Sequence, residues 1–157
     1  MAHDRKRWLT EVVKDELKWS PVLGIYGLRQ VGKTTLLEDL AESHSATYVT
    51  FDKESVLESS RLAPREFLSR EELLCIDEVQ RAPWLFPVIK DVVGTKRRPG
   101  RFLLTGSVRF TAKTDIRESL AGRILTHELL PFSLSEAKNL PVSLFLKNCL
   151  EQAKKSS

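Results

Sequence analysis

Cysteine is nearly missing from this chain of 157 residues, which carries only Cys75 and Cys149. Two thiols exclude a disulfide framework, and nothing around them has the spacing of a metal knuckle. Cys75 lies within LLCI, where a small thiol packs inside a strand. No apolar run approaches the length needed to cross a bilayer, so no membrane role is expected. The opening MAHDRKRWL lacks the apolar stretch of a secretory signal, and the expected compartment is the cytoplasm. Internal repeats and low-complexity tracts are also missing. What remains is 41% hydrophobic and 29% charged, the balance of an ordinary globular protein with one sizeable core.

Charge of one sign is not dominant either. The net charge of +4 and pI near 9.2 permit contact with nucleic acid or another polyanion without establishing it. Basic residues gather at Arg5–Arg7 and Lys96–Arg101, and neither cluster is interleaved with the aromatic platforms that single-strand binders use. Both read as solvated loops.

The order of elements is informative. DRKRWLTEVVKDELKW spaces Trp8, Val12, Leu17 and Trp19 at helical intervals and predicts an N-terminal amphipathic helix within residues 1–20. PVLGIYG reads as a buried strand, KTTLLEDLAES as a helix with Leu36, Leu37 and Leu40 on one face, and ATYVTF as a short strand. ESVLESSRLAPREFLSR is helical with a break near Pro64. ELLCIDEV is a third strand whose unbroken apolar run predicts burial on both faces. APWLFPVIKDVVGT is a helix whose first turns must accommodate Pro87. RFLLTGS and RILTHELL are two further strands, with a short helix TDIRESLAG between them. Strands alternating with helices define an α/β fold around a mainly parallel sheet. The core spans 21–136, and 137–157 is a short helical tail.

GLRQVGKT, Gly27 to Thr34, matches G-x-x-x-x-G-K-S/T between a strand and a helix. Gly27 and Gly32 would let the backbone N–H groups of Leu28, Arg29, Gln30, Val31 and Thr35 turn toward phosphates. The helix start adds unpaired N–H groups and the positive end of its dipole. Lys33 would meet the β- and γ-phosphates, and the Thr34 hydroxyl would coordinate Mg²⁺. A chance glycine-rich turn is the plain alternative, and the strand–loop–helix context argues against it.

Asp77 and Glu78 stand together where the third strand ends. Beside a phosphate site, Asp77 becomes a Mg²⁺ partner and Glu78 a group that orients or deprotonates an attacking water. The structural alternative for Glu78 is an acid satisfying helix N-terminal donors. Thr105 and Ser107 close LLTGS and should face the crevice beyond the strand ends, bonding the γ-phosphate or the lytic water; capping the next helix is the alternative.

In GLRQVGKTTLL, IDEVQRAP, RRPGRFLLTGS, SLAGR and LLPFSLSE, in that order from Pro21 to Glu136, the chain resembles the prokaryotic AAA-type ATPases of the AAA+ superfamily. Members usually carry a C-terminal domain of unknown function after the ATPase module. The resemblance implies an additional-strand P-loop fold with sheet order 5-1-4-3-2, and ATP and Mg²⁺ held by Walker A and Walker B motifs. Arg123 in SLAGR is similar to a family arginine near the ATPase centre, acting in cis or as a finger on a neighbouring subunit. After LLPFSLSE only Ala137 to Ser157 remain, too few for a helical lid or an output domain, so the chain is either naturally short or a fragment.

The leading expectation is a Mg²⁺-dependent ATPase whose cycle drives a conformational change in a partner or a missing domain, with self-association as one route. A nucleotide-binding switch that does not turn over is the alternative, and a nucleic-acid-associated ATPase is a third reading resting on the basic clusters. No N-K-x-D guanine-reading motif is present, and Glu78 suits water activation better than transfer to a small-molecule acceptor. His3, His44 and His127 read as surface residues.

Overall fold

The computed structural model describes residues 6–95, 97–107 and 120–139. Helix α1 (Trp8–Glu16) precedes β1 (Val22–Tyr26), α2 (Lys33–Ser43) and β2 (Thr47–Thr50). Helices α3 (Glu54–Leu62) and α4 (Pro64–Leu68) then lead to β3 (Leu74–Asp77). A single 3₁₀ turn (Val79–Arg81), α5 (Leu85–Thr95), β4 (Phe102–Gly106), β5 (Ile124–Glu128) and α6 (Leu134–Ala137) follow. Cys149, His3, Lys96, most of TDIRESLAG and the tail beyond Asn139 lie outside the described residues.

All pairings in the sheet are parallel, in the order β2-β3-β4-β1-β5, which is the expected 5-1-4-3-2 read from the other edge. β4 therefore separates the strand carrying the phosphate loop from the strand carrying Asp77. All strands end on one side of the sheet, and a crevice opens where the chain order reverses.

Strand parity divides the core. Val22, Leu74, Ile76, Phe102 and Leu104 point into one cluster with Phe51, Leu68, Phe86 and Ile89 from the α3–α5 side. Leu23, Ile25, Cys75 and Leu103 point the other way, against Val13, Leu36, Leu37 and Leu40 of α1 and α2. A sheet sandwiched in this way is apolar on both faces, which is why LLCI reads as a continuous run. Cys75 is fully buried and its thiol is pushed up to about 12 by desolvation, so it is an inert packing group. Pro64 opens α4 at its first position, and Pro87 sits within the first turn of α5, where no helical N–H is lost.

Two sequence expectations change. The buried stripe of the N-terminal helix is Leu9, Val13 and Leu17, spaced by four, and not Val12 and Trp19; Trp19 lies beyond the helix and is exposed. His127 is not a free surface residue: its Nε2 lies 2.6 Å from Glu16 Oε2 across α1 and β5.

Arg7 and Glu136 tie the two ends of the described chain to the core. Each side chain is only 8% exposed, and Arg7 Nε lies 3.3 Å from Glu136 Oε1 in a charge contact. Arg7 also donates to the carbonyls of Val31 and Leu130, while its guanidinium sits 4.2 Å from the centre of the Phe132 ring. Glu136 accepts from the backbone N–H groups of Trp8 and Ser133 and from the Ser133 hydroxyl, completing a capping box on α6. Burial pushes its carboxyl up, but those donors and Arg7 outweigh it and hold it below the ordinary 4.5. A carboxylate lowered by folding adds stability above its unfolded value, and that stability drains away as pH falls through the folded one. Acid titration followed by circular dichroism should therefore show stability falling from about pH 4.5 downward, with a flatter profile for Glu136→Gln. Arg7→Ala should cost about 3–5 kcal/mol at neutral pH, because it leaves a buried carboxylate without its cation.

Candidate functional site

The loop between β1 and α2 is shaped by two glycines acting for different reasons. A Cβ on Gly27 would stand 2.4 Å from the Leu129 carbonyl oxygen, because Leu129 N–H donates to Tyr26 O at 2.7 Å and draws the end of β5 against the loop. Gly27 thus permits close packing. Gly32 meets nothing within 4 Å but has φ of 92°, which only glycine adopts freely. Gln30 is also left-handed, with φ of 64°. The loop side chains divide accordingly: Leu28, Arg29 and Gln30 are exposed, whereas Val31 is buried.

Gly32 is the N-cap of α2 and offers no side-chain cap; the first N–H in the helix ladder is that of Leu36, to Gly32 O at 3.0 Å. The N–H groups of Lys33, Thr34 and Thr35 precede it at the positive end of the helix dipole. Lys33 is nearly buried and its Nζ donates to the carbonyls of Gly27 and Leu28 at 3.0 and 2.8 Å. The loop is folded around its own cation.

Asp77 is 2% exposed at the end of β3 and lies in no ion pair among the described residues. Its Oδ2 accepts from Thr34 Oγ1 at 2.7 Å and from Tyr48 OH at 3.4 Å. Its Oδ1 accepts from Thr105 Oγ1 and from the Glu78 N–H, the latter at 3.1 Å. Parity explains the meeting: Asp77 and Thr105 share the sheet face of Cys75 and Leu103, toward α2. Desolvation, followed by the charge of Asp77, pushes the Tyr48 phenol up to about 12, so it stays a donor at neutral pH. Oxygen donors converging on one carboxylate suit Mg²⁺, which needs few protein ligands and keeps its waters.

Glu78 has φ of 56° and ψ of 42°, a left-handed conformation that costs a residue with a Cβ on the order of 1–2 kcal/mol. It is the N-cap of the 3₁₀ turn, yet its side chain makes no cap bond, so the helix-capping alternative finds no support. Its Oε2 instead accepts from Gln80 Nε2, which also lies 3.1 Å from Ser107 Oγ.

The structure brings Thr34, Asp77, Glu78, Thr105 and Ser107 together beside the loop, with one change of role. Thr105 is completely buried and its hydroxyl is taken by Asp77, so it does not face the crevice as the sequence suggested. Arg123 is not brought there. It precedes Ile124, which pairs with Val22 at the far end of β1, about 13 Å of strand from the loop. Its Nη1 donates to the Ala121 carbonyl at 3.3 Å. Tyr48 and Gln80 were missed in the sequence. Alternation in ATYVTF places Tyr48 and Thr50 on opposite faces from Thr47 and Val49, but nothing local shows that Asp77 is within reach.

Together the parallel sheet, the strand between β1 and β3 and the glycine loop define a P-loop NTPase of the additional-strand class. A family described as AAA domain matches residues 20–138, and the chain belongs to it. It is an AAA-type ATP-binding module. Uncharacterized proteins of Mycobacterium bovis and Mycobacterium tuberculosis are each 43% identical over 112 residues, covering 70% of this chain and 25% of theirs. The chain therefore spans about a quarter of those relatives. Among solved structures, a DNA replication initiation factor superposes with a TM-score of 0.61 at 18% identity, over 97% of this chain and 52% of that one. AMPPCP-bound DnaA from Aquifex aeolicus gives 0.59 at 18% identity, over 96% and 57%. A Walker-type ATPase of Pyrococcus abyssi gives 0.58 at 16% identity, over 96% and 63%. Among the described residues, no helix is long and apolar enough to cross a membrane.

The Gly27 contact is directly testable. Gly27→Ala must push Leu129 and the end of β5 away, and chemical denaturation should show a loss of about 1–3 kcal/mol. An unchanged midpoint would mean that the loop and β5 separate freely.

Proposed function

We propose that this module binds ATP with Mg²⁺ and hydrolyses it, using the cycle to drive a conformational change in a partner or another part of the protein. The observation that carries the reading is the convergence of Thr34 and Glu78 on the two oxygens of Asp77. A metal ligand pair and a base are thereby fixed relative to one another at the mouth of the phosphate loop.

Gly27 to Thr35 would wrap the phosphates, with Lys33 exchanging the Gly27 and Leu28 carbonyls for phosphate oxygens. Thr34 Oγ1 and Asp77 Oδ2 would hold Mg²⁺, which when bound supplies neutralisation of charge on the transferring phosphate. Glu78 takes the proton of the attacking water as its oxygen bonds to the γ-phosphorus, and the bond from that phosphorus to the bridging oxygen of ADP breaks. Thr105 keeps Asp77 oriented. Ser107 lies close enough to Glu78, through Gln80, to sense the γ-phosphate. Arg123 would meet a nucleotide only on a neighbouring copy of the chain, which links its role to self-association.

One observation favours a second reading, a nucleotide-binding switch that does not turn over. Lys33 Nζ bonds the Gly27 and Leu28 carbonyls, so ATP binding would exchange these bonds and rearrange the loop without any hydrolysis. In the second basic cluster Arg98 is paired with Glu71 at 3.1 Å, which offsets part of the charge on which the nucleic-acid reading rests.

Phosphate release from ATP, measured across protein concentrations with Mg²⁺ and with EDTA, separates these readings. Glu78→Gln should reduce hydrolysis at least ~100-fold while retaining ATP binding, and EDTA should abolish turnover. A specific rate that rises with protein concentration and is lost in Arg123→Ala would place that arginine between subunits. ATP binding without turnover in the unaltered chain would leave the switch.

A further inference from the structure

Gln80 has no assigned task in phosphate binding, metal binding or proton transfer, yet its carboxamide stands between two groups that do. The 3₁₀ turn begins directly after Glu78 and carries Gln80 as its middle residue. Gln80 Nε2 donates to Glu78 Oε2 and to Ser107 Oγ, the latter at 3.1 Å. The other end of the amide, Oε1, is buried and has no partner among the described residues. A buried acceptor left in this way calls for a reason.

Charge supplies it. With Glu78 ionised, the amide must present its N–H₂ end, because Oε1 would set acceptor against acceptor. Ser107 accepts the second N–H and fixes the amide from outside. Glu78 enters this arrangement from a left-handed backbone conformation, with no cap bond competing for its carboxylate.

We infer that Gln80 is the positioning residue of the base: its carboxamide couples Glu78 to Ser107 and holds the carboxylate in one orientation for the attacking water. The inference rests on the hydrolytic reading above. The orphaned Oε1 then has a use. When Glu78 takes a proton from water, its carboxyl becomes a donor, and a half-turn of the amide brings Oε1 to accept that proton's hydrogen bond. One side chain thus serves Glu78 before and after proton transfer. Asparagine is a methylene too short for the same reach, and glutamate would set a second negative charge against Glu78.

The test is single-turnover ATP hydrolysis with fluorescent-ATP binding and thermal melting, on the whole chain. The variants are Gln80→Ala, Gln80→Met, Ser107→Ala and the double variant Gln80→Ala/Ser107→Ala. Gln80→Met keeps the bulk of the side chain and removes both polar atoms, so it carries the test should the alanine variant fold poorly. Both Gln80 variants should hydrolyse ATP ~10- to 100-fold more slowly, with nucleotide affinity held within about two-fold. The double variant should lose less than the product of the two single losses, since Ser107 acts on Glu78 through the amide. Turnover by Gln80→Met within about two-fold of the unaltered chain, with Glu78→Gln still inactive, would overturn the inference while leaving hydrolysis intact. Losses that multiply would overturn the coupling to Ser107. An unaltered chain that binds ATP and never hydrolyses it would defeat the hydrolytic reading itself, and this one with it.

Discussion

The site depends on a single buried carboxylate. Asp77 has lost nearly all its water, and an ionised group in that position is costly unless its lone pairs are filled. Four donors fill them: a hydroxyl from α2, a phenol from β2, a hydroxyl from β4 and the peptide N–H of the next residue. They come from α2, β2, β4 and the tip of β3 itself, so the carboxylate staples the helix of the phosphate loop and two neighbouring strands to β3. The same bonds preset the spacing between Thr34 and Glu78. Every donor is neutral, which leaves the negative charge uncancelled among the described residues and the centre receptive to a hard cation.

Left-handed backbone marks this end of the sheet, as it also does Ser45 and Asn139 elsewhere in the described residues. Gln30, Gly32 and Glu78 all have positive φ and all lie at the loop or at the tip of β3. Gly32 adopts that conformation without a Cβ penalty, whereas Gln30 and Glu78 do not. At Glu78 the strain is balanced in part by the bond from its N–H to Asp77, so the carboxylate that would hold the proposed metal also aims the proposed base. The strained conformation and the buried charge belong to one local arrangement.

Much of this was legible in the residues. The α/β alternation, the glycine loop, the buried run of β3 and the pairing of Asp77 with Glu78 all follow from local pattern, because parity and spacing are properties of short stretches. What sequence could not supply was distance across the sheet. Thr105 reads as a crevice hydroxyl until β4 is set beside β3, where Asp77 takes it. Tyr48 reads as a strand tyrosine until β2 is paired with β3 on its other side. Arg123 carries a motif resemblance to a catalytic arginine, but the register of β5 against β1 sets it at the opposite end of the strand. Ser133 and Glu136 show the reverse case: S-x-x-E is a capping signature readable in the chain, and its link to Arg7 arises only from the fold.

That last link shows how the loop is connected to the rest of the molecule. Arg7 holds the Val31 carbonyl inside the phosphate loop, the Leu130 carbonyl after β5 and the Glu136 carboxylate on α6. Leu129 meanwhile presses its carbonyl against Gly27. The loop is thus gripped from behind by the segment that leaves β5, and from below by the helix start and Asp77. A change in loop geometry that accompanies nucleotide entry must either strain the Val31 carbonyl bond or carry Arg7 with it. Carrying Arg7 moves Glu136 and α6, because a charge pair this buried is costly to separate. Arg7 and Glu136 thus form a continuous chain of contacts from the phosphate loop to α6.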